Sequence, residues 1–211
     1  MNFKKMNYDK IEVCLDAGHA KSTPGKCSPD KRLLEYKWNR ECVDLIAKGL
    51  KEHGIKYYII TPETDKDVAL STRAGRVNKR VTANKKAGIS TLMISVHVNA
   101  AGNGSWMNAR GWSAWTTKGK TNSDRLAECL YDAAEEILKK YDIKIRTDKS
   151  DGDRDYEANF TVIYKSNCPA VLTENLFMDN KEDVEFLLSD YGKQELANVH
   201  VKGILNWLAK N

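Results

Sequence analysis

The chain has 211 residues, 41% of them hydrophobic, which suffices for a sizeable core within the size range of one domain. Charged residues make up 30%, with both signs interspersed, so an extended disordered chain is excluded. The net charge of +5 favours an anionic partner, but the lysines are scattered and no zinc-finger or RNA-binding signature occurs, which speaks against nucleic acid.

The first ten residues, MNFKKMNYDK, carry lysines but no apolar stretch follows them. The expectation is a chain made in the cytoplasm without a signal peptide. No apolar run approaches membrane-spanning length, so no stable membrane insertion is expected. From Ile11 to Leu15 apolar residues alternate with Glu12 and Cys14, the period of a strand, and the turn Asp16-Ala17-Gly18-His19 follows. The strand therefore delivers His19 to its carboxyl end. Asp16 reads more simply as a surface turn residue than as a partner orienting that histidine. A loop with Pro24, Gly25 and Pro29 leads to a helix in which Trp38, Cys42, Leu45, Ile46 and Leu50 share a face, closed by Gly54. His53 beside it suits a helix carboxyl terminus.

Lys56 to Thr61 reads as a second strand. A polar helix from about Leu70 to Asn84 turns Leu70, Ala74 and Val77 to the core. Leu92 to Val98, rich in branched residues, reads as a buried strand with Ser95, His97 and Asn99 on one face. Gly111 to Thr117 is a shorter strand, and Ser123 caps an amphipathic helix through Leu126, Leu130, Ala133, Ile137 and Tyr141. After a charged loop come two strand-like runs, Phe160 to Tyr164 and Ala170 to Leu176, with Glu174 near the end of the second. Asn180, Glu182 and Asp183 open a terminal helical region broken near Gly192, with His200 inside it as a structural residue. Strands alternating with helices give an α/β fold: a mostly parallel twisted sheet of about six strands with helices on both faces. The expectation is a single domain over residues 1–211, with no linker to a second.

Ligands of such sheets bind outside the carboxyl ends of the strands, where His19, His97 and Glu174 lie. Two histidines and a carboxylate, with a fourth position open, are the donor set of zinc sites that hydrolyse amides, and Glu35 opens the first helix as a candidate carboxylate. A glutamate in a first helical turn is also stabilised there without a metal. The five cysteines, Cys14, Cys27, Cys42, Cys129 and Cys168, include no C-x-x-C pair, so they read as reduced thiols. A nucleophilic Cys14 or Cys168 has no local signature.

The stretches LDAGHA, LLEYKWN, SVHVNA and PAVLTENLFMDN, in this order, resemble the zinc-dependent N-acetylmuramoyl-L-alanine amidases that include bacterial autolysins and phage endolysins. The resemblance covers nearly the whole chain. It implies one zinc ion held by His19, Glu35 and His97, Glu174 as general base, and Asn99 as a substrate contact. It implies hydrolysis of the amide between N-acetylmuramic acid and L-alanine in peptidoglycan, and a monomer acting on the bacterial wall after release in phage or prophage lysis. A zinc peptidase cutting the stem peptide and an inactive wall-binding module are the alternatives. Two departures stand out: Ala20 to Gly25 replace a glycine-rich, acidic stretch, and Asn175-Leu176 replace an apolar-glycine pair. Trp106, among the glycines after His97, either lines a glycopeptide groove or packs inward. Trp112 and Trp115 read as packing residues. Arg154 either meets a substrate carboxylate or is a solvated loop residue.

Overall fold

Seven consecutive buried residues, Ile11–Ala17, form strand β1. In the computed structural model, which describes residues 8–211, this strand is buried on both faces. It therefore reads as continuously shielded, as inner strands of parallel sheets do. Helix α1 (Glu35–Glu52), strand β2 (Lys56–Ile59), helix α2 (Leu70–Lys86) and strand β3 (Ser90–Asn99) follow. Then come β4 (Ser113–Thr116), α3 (Asn122–Leu138), β5 (Tyr156–Glu157), α4 (Thr161–Tyr164), β6 (Ala170–Phe177), α5 (Lys181–Leu188) and α6 (Asp190–Ala209).

The six strands form one sheet in the order β2-β1-β3-β6-β4-β5, parallel except where β4 runs against β6. Side-chain alternation divides the core. Val13, Leu15, Ile94 and Val96 join α1, α3 and α6 on one face, while Cys14, Met93 and Leu172 meet Val77 of α2 and Ile163 of α4 on the other. The predicted single α/β domain with helices on both faces is what forms.

Several local expectations are corrected. Phe160 to Tyr164 is not a strand: Phe160 is extended and Thr161–Tyr164 make one helical turn that lays Val162 and Ile163 on the sheet. Thr121, not Ser123, caps α3, accepting from the Ser123 N–H at 3.0 Å while the Asp124 carboxylate accepts from the Thr121 N–H. Leu70 is exposed, because it opens α2 one turn before the buried Arg73 and Ala74. The terminal helices part at Ser189, whose hydroxyl caps α6 by accepting from Gly192 N–H. Gly54, at φ +73°, closes α1 as expected.

Candidate active site

At the carboxyl end of β1 the backbone turns sharply. Gly18 N–H donates to the Val96 carbonyl at 3.0 Å, and His19 adopts a left-handed φ of +59°. A non-glycine residue there is held against its preference. Arg40 supplies part of the hold, donating to the His19 carbonyl, and Asn39 donates to the Gly18 carbonyl at 3.1 Å. Gly18 also makes room: a Cβ at this position would lie 2.3–2.6 Å from three atoms of the His97 ring.

Glu35 reaches the same point from the first turn of α1, where its own N–H donates to the Lys26 carbonyl. Its side chain is buried. Oε1 accepts from the Val98 N–H at 3.1 Å and stands 3.2 Å from His97 Nδ1 and 3.5 Å from His19 Nε2. Oε2 is buried with no hydrogen-bond donor. The two imidazoles meet edge to face, centroids 5.0 Å apart, and one ligand atom from each of the three residues lies within 4.8 Å of the others. Two ring nitrogens beside a buried carboxylate whose other oxygen has no donor fit a cation, since leaving such an oxygen unpaired in the protein interior costs free energy.

Burial and the mutual charges set the protonation of the cluster. Burial depresses His19 to about 4 despite the Glu35 charge, so its ring is neutral and its lone pair free at neutral pH. Burial works against a charged His97 too, but the hydrogen bond to Glu35 together with the charges of Glu35, Glu174 and Asp16 raises this histidine. Glu35 in turn sits below the usual range, because the two histidines overcome its desolvation.

Glu174 pairs in register with His97 across β3 and β6. Its Oε2 is buried with no partner, and desolvation, reinforced by the Glu35 charge, pushes the carboxyl up to about 7, against the pull of His97 and Lys26. A carboxylate tuned there is suited to take and return a proton. The sheet bulges next to it, between His97 and Asn99, and Leu176 takes a φ of +67° at the position where a glycine was expected from the family pattern. Asn175 secures the bulge: its amide donates to the His97 carbonyl at 3.0 Å and its Oδ1 accepts from the Trp112 indole at 3.1 Å.

The structure thus brings together His19, Glu35, His97 and Glu174. Asn99 follows directly, half-buried, its Oδ1 accepting from the Ala100 N–H. Trp106 packs against the main core with Lys181 over its ring, and Trp112 is fully buried, as a packing residue should be. Arg154 is not brought to the site and is not a solvated residue either. Glu128, Asp132 and Glu135 of α3 bind its guanidinium. Asp16 is not at the surface: it is buried, bound by Arg73 at 2.9 Å and by the Ser95 hydroxyl at 2.8 Å, because the strand does not end until Ala17. The thiols fail as nucleophiles. Cys14 is buried in mid-strand with its thiol pushed up, and Cys168, pushed up to about 12, precedes the amino end of β6, away from Glu174. Gly18 and Lys26 were missed in the sequence, where Asn175 stood only as a departure from the family pattern. Only Gly18, directly before a candidate ligand, offered a signal there.

The family described as N-acetylmuramoyl-L-alanine amidase matches residues 13–206. The endolysin of Bacillus phage SPP1 is 29% identical over 199 residues, an overlap of 91% of this chain and 64% of that protein. The N-acetylmuramoyl-L-alanine amidase CwlM of Bacillus licheniformis is 28% identical over 199 residues, or 92% of this chain and 67% of that one. The chain therefore spans about two thirds of the length of either relative. Among solved structures, the N-acetylmuramoyl-L-alanine amidase AmiC2 of Nostoc punctiforme superposes with a TM-score of 0.76 at 25% identity, covering 96% of this chain and 99% of that one.

Proposed function

Because this chain belongs to the N-acetylmuramoyl-L-alanine amidase family, we propose that it hydrolyses the amide between the lactyl group of N-acetylmuramic acid and L-alanine in peptidoglycan. The observation that carries the reading is the convergence of His19, Glu35 and His97 beside the raised carboxyl of Glu174. Those three residues would hold one zinc ion, since two imidazoles and a carboxylate match its preferred donors. Zinc supplies a Lewis acid that polarises the scissile carbonyl and acidifies water. Glu174 takes the proton of the attacking water and passes it to the departing alanine nitrogen, a role that its place opposite His97 in the sheet supports. Asn99, at the rim, donates to the substrate. The likeness to a phage endolysin supports action on the wall during phage or prophage lysis.

Digestion of purified peptidoglycan with and without a zinc chelator tests the bond. New L-alanine amino termini that vanish with chelator, and no new reducing sugar ends, are expected. New termini on other residues would overturn the bond assignment, and no products from zinc-loaded protein would overturn the activity. Glu174→Gln should keep zinc while turnover falls by about 10²–10⁴-fold, whereas His97→Ala should lose the metal. Zinc content and lysis rates of both variants check this, and an active Glu174→Gln protein would reassign the base.

A further inference from the structure

A cavity of about 330 Å³ is lined by Gly25, Cys27 and Lys31 from the segment before α1, and by Gly102, Met178 and Asp179 from the segments after β3 and β6. The chain ties both sides of it to the candidate site. Lys26, between Gly25 and Cys27, accepts from the Glu35 N–H at 3.0 Å, and Met178 N–H donates to the Asn99 carbonyl at 2.8 Å. Asp179 follows Glu174 by five residues, so their Cα atoms are at most about 18 Å apart. Asp179 is 2% exposed. Its Oδ2 accepts from the Ala101 and Gly102 N–H groups at 2.8 and 2.7 Å, which fixes the carboxyl group, while its Oδ1 is buried with no hydrogen-bond partner. That second oxygen is what the side chain has left to offer a ligand. Lys31, by contrast, is exposed.

A carboxylate oxygen shut away from water without a donor is destabilising, and a donor from a bound ligand relieves it. In a cavity that also holds a lysine, the matching ligand carries two charges close together, an ammonium for Asp179 and a carboxylate for Lys31. The free end of an amino acid has that form. A peptidoglycan stem presents it where its third residue is a diamino acid whose far carbon bears both an amine and a carboxyl group, as in diaminopimelate. A sugar offers hydroxyl groups but no charge for either side chain. Resting on the amidase reading above, we propose that this cavity is the subsite for the far end of that diamino residue, with Asp179 accepting from its ammonium and Lys31 facing its carboxylate. The span allows it, since two stem residues and the side chain of the third reach about 15 Å from the scissile amide. Cross-linking acylates the amine and removes its charge, so the subsite selects stems that are not cross-linked.

The test is calorimetric binding of the tripeptide L-Ala-γ-D-Glu-meso-diaminopimelate, against the analogue with L-lysine as third residue and the analogue acetylated on the far amine. The protein should bind the first about 10–100-fold more tightly than the acetylated peptide. Over the lysine peptide the preference should be about 2–5-fold, because the carboxylate lost there faces an exposed side chain. Asp179→Asn can keep both backbone bonds through its amide oxygen but sets an NH2 group in place of the free oxygen, so the acetylation penalty should vanish. Lys31→Ala should erase only the preference over lysine, and it decides the matter if circular dichroism shows Asp179→Asn unfolded. An acetylation penalty that persists in folded Asp179→Asn, or equal binding of all three peptides by the unaltered protein, would overturn the proposal. Hydrolysis of the same stems joined to N-acetylmuramic acid is followed in parallel. No new L-alanine termini from any of them, with tripeptide binding still dependent on Asp179, would remove the amidase reading and leave the subsite standing.

Discussion

A methyl group on Gly18 has nowhere to go except into the His97 imidazole. Gly18→Ala should fold, because the space can be won by tilting that ring, but the tilt misdirects a residue proposed to hold the metal. Zinc affinity should drop by about 10–100-fold, the scale seen when groups supporting a ligand are altered. Competition with a chromogenic chelator would measure it, and unchanged affinity would show that the ring has slack. At this scale the sequence was most legible where chemistry and position coincide. His19, His97 and Glu174 each stand near the end of a strand that alternation reveals. Glu35 was visible through the wording around it. Gly18 was not, because a glycine in a turn has an ordinary reading, and the ring it accommodates arrives from a strand some eighty residues later. Asp16 was hidden for a similar reason: its partner Arg73 lies on α2, and no local pattern connects them.

That pair shows what holds α2 to the sheet. Arg73 is 2% exposed, donates to the Asp16 carboxylate, to the Ala17 carbonyl at 3.0 Å and to the Val68 carbonyl at 2.9 Å, and reaches Asp67 at 2.6 Å. Arg73→Leu leaves the Asp16 carboxylate buried without its cation. The loss should be about 3–5 kcal/mol, read from urea unfolding, and Asp16→Asn in the same background should restore part of it. The helices themselves were largely legible, since α1 and α3 each keep an apolar face over several turns. Short elements were not. Phe160 to Tyr164 has the branched and aromatic composition of a strand, yet packing on β6 and α2 makes it a turn of helix, because one turn suffices to bury Val162 and Ile163. Arg154 sat in a loop with no periodic signal, and its three carboxylate partners become adjacent only once α3 forms.

Across the whole molecule, the raised carboxyls set how stability depends on pH. Desolvation pushes Asp155 up to about 7, with Asp153 and Asp124 reinforcing it. Between its unfolded value near 4 and about 7, the folded state holds a proton that the unfolded state has released. Stability therefore falls as pH rises through that window. Asp155→Asn should remove a loss on the order of 2 kcal/mol between pH 5 and pH 8, checked by denaturant unfolding at both pH values. An equally steep wild-type and variant profile would assign the dependence to other groups, Glu174 first, since it is raised in the same direction. The order of the strands has a further consequence. Residues 19, 35, 97 and 174 meet only because β3 lies between β1 and β6, and β6 is the last strand to leave the ribosome. A growing chain has two of the residues proposed to hold the metal early, and the proposed proton acceptor near the end. Parallel pairing across so much sequence is slow to close. Completion of the sheet is thus the event that would assemble the proposed site from its separate parts.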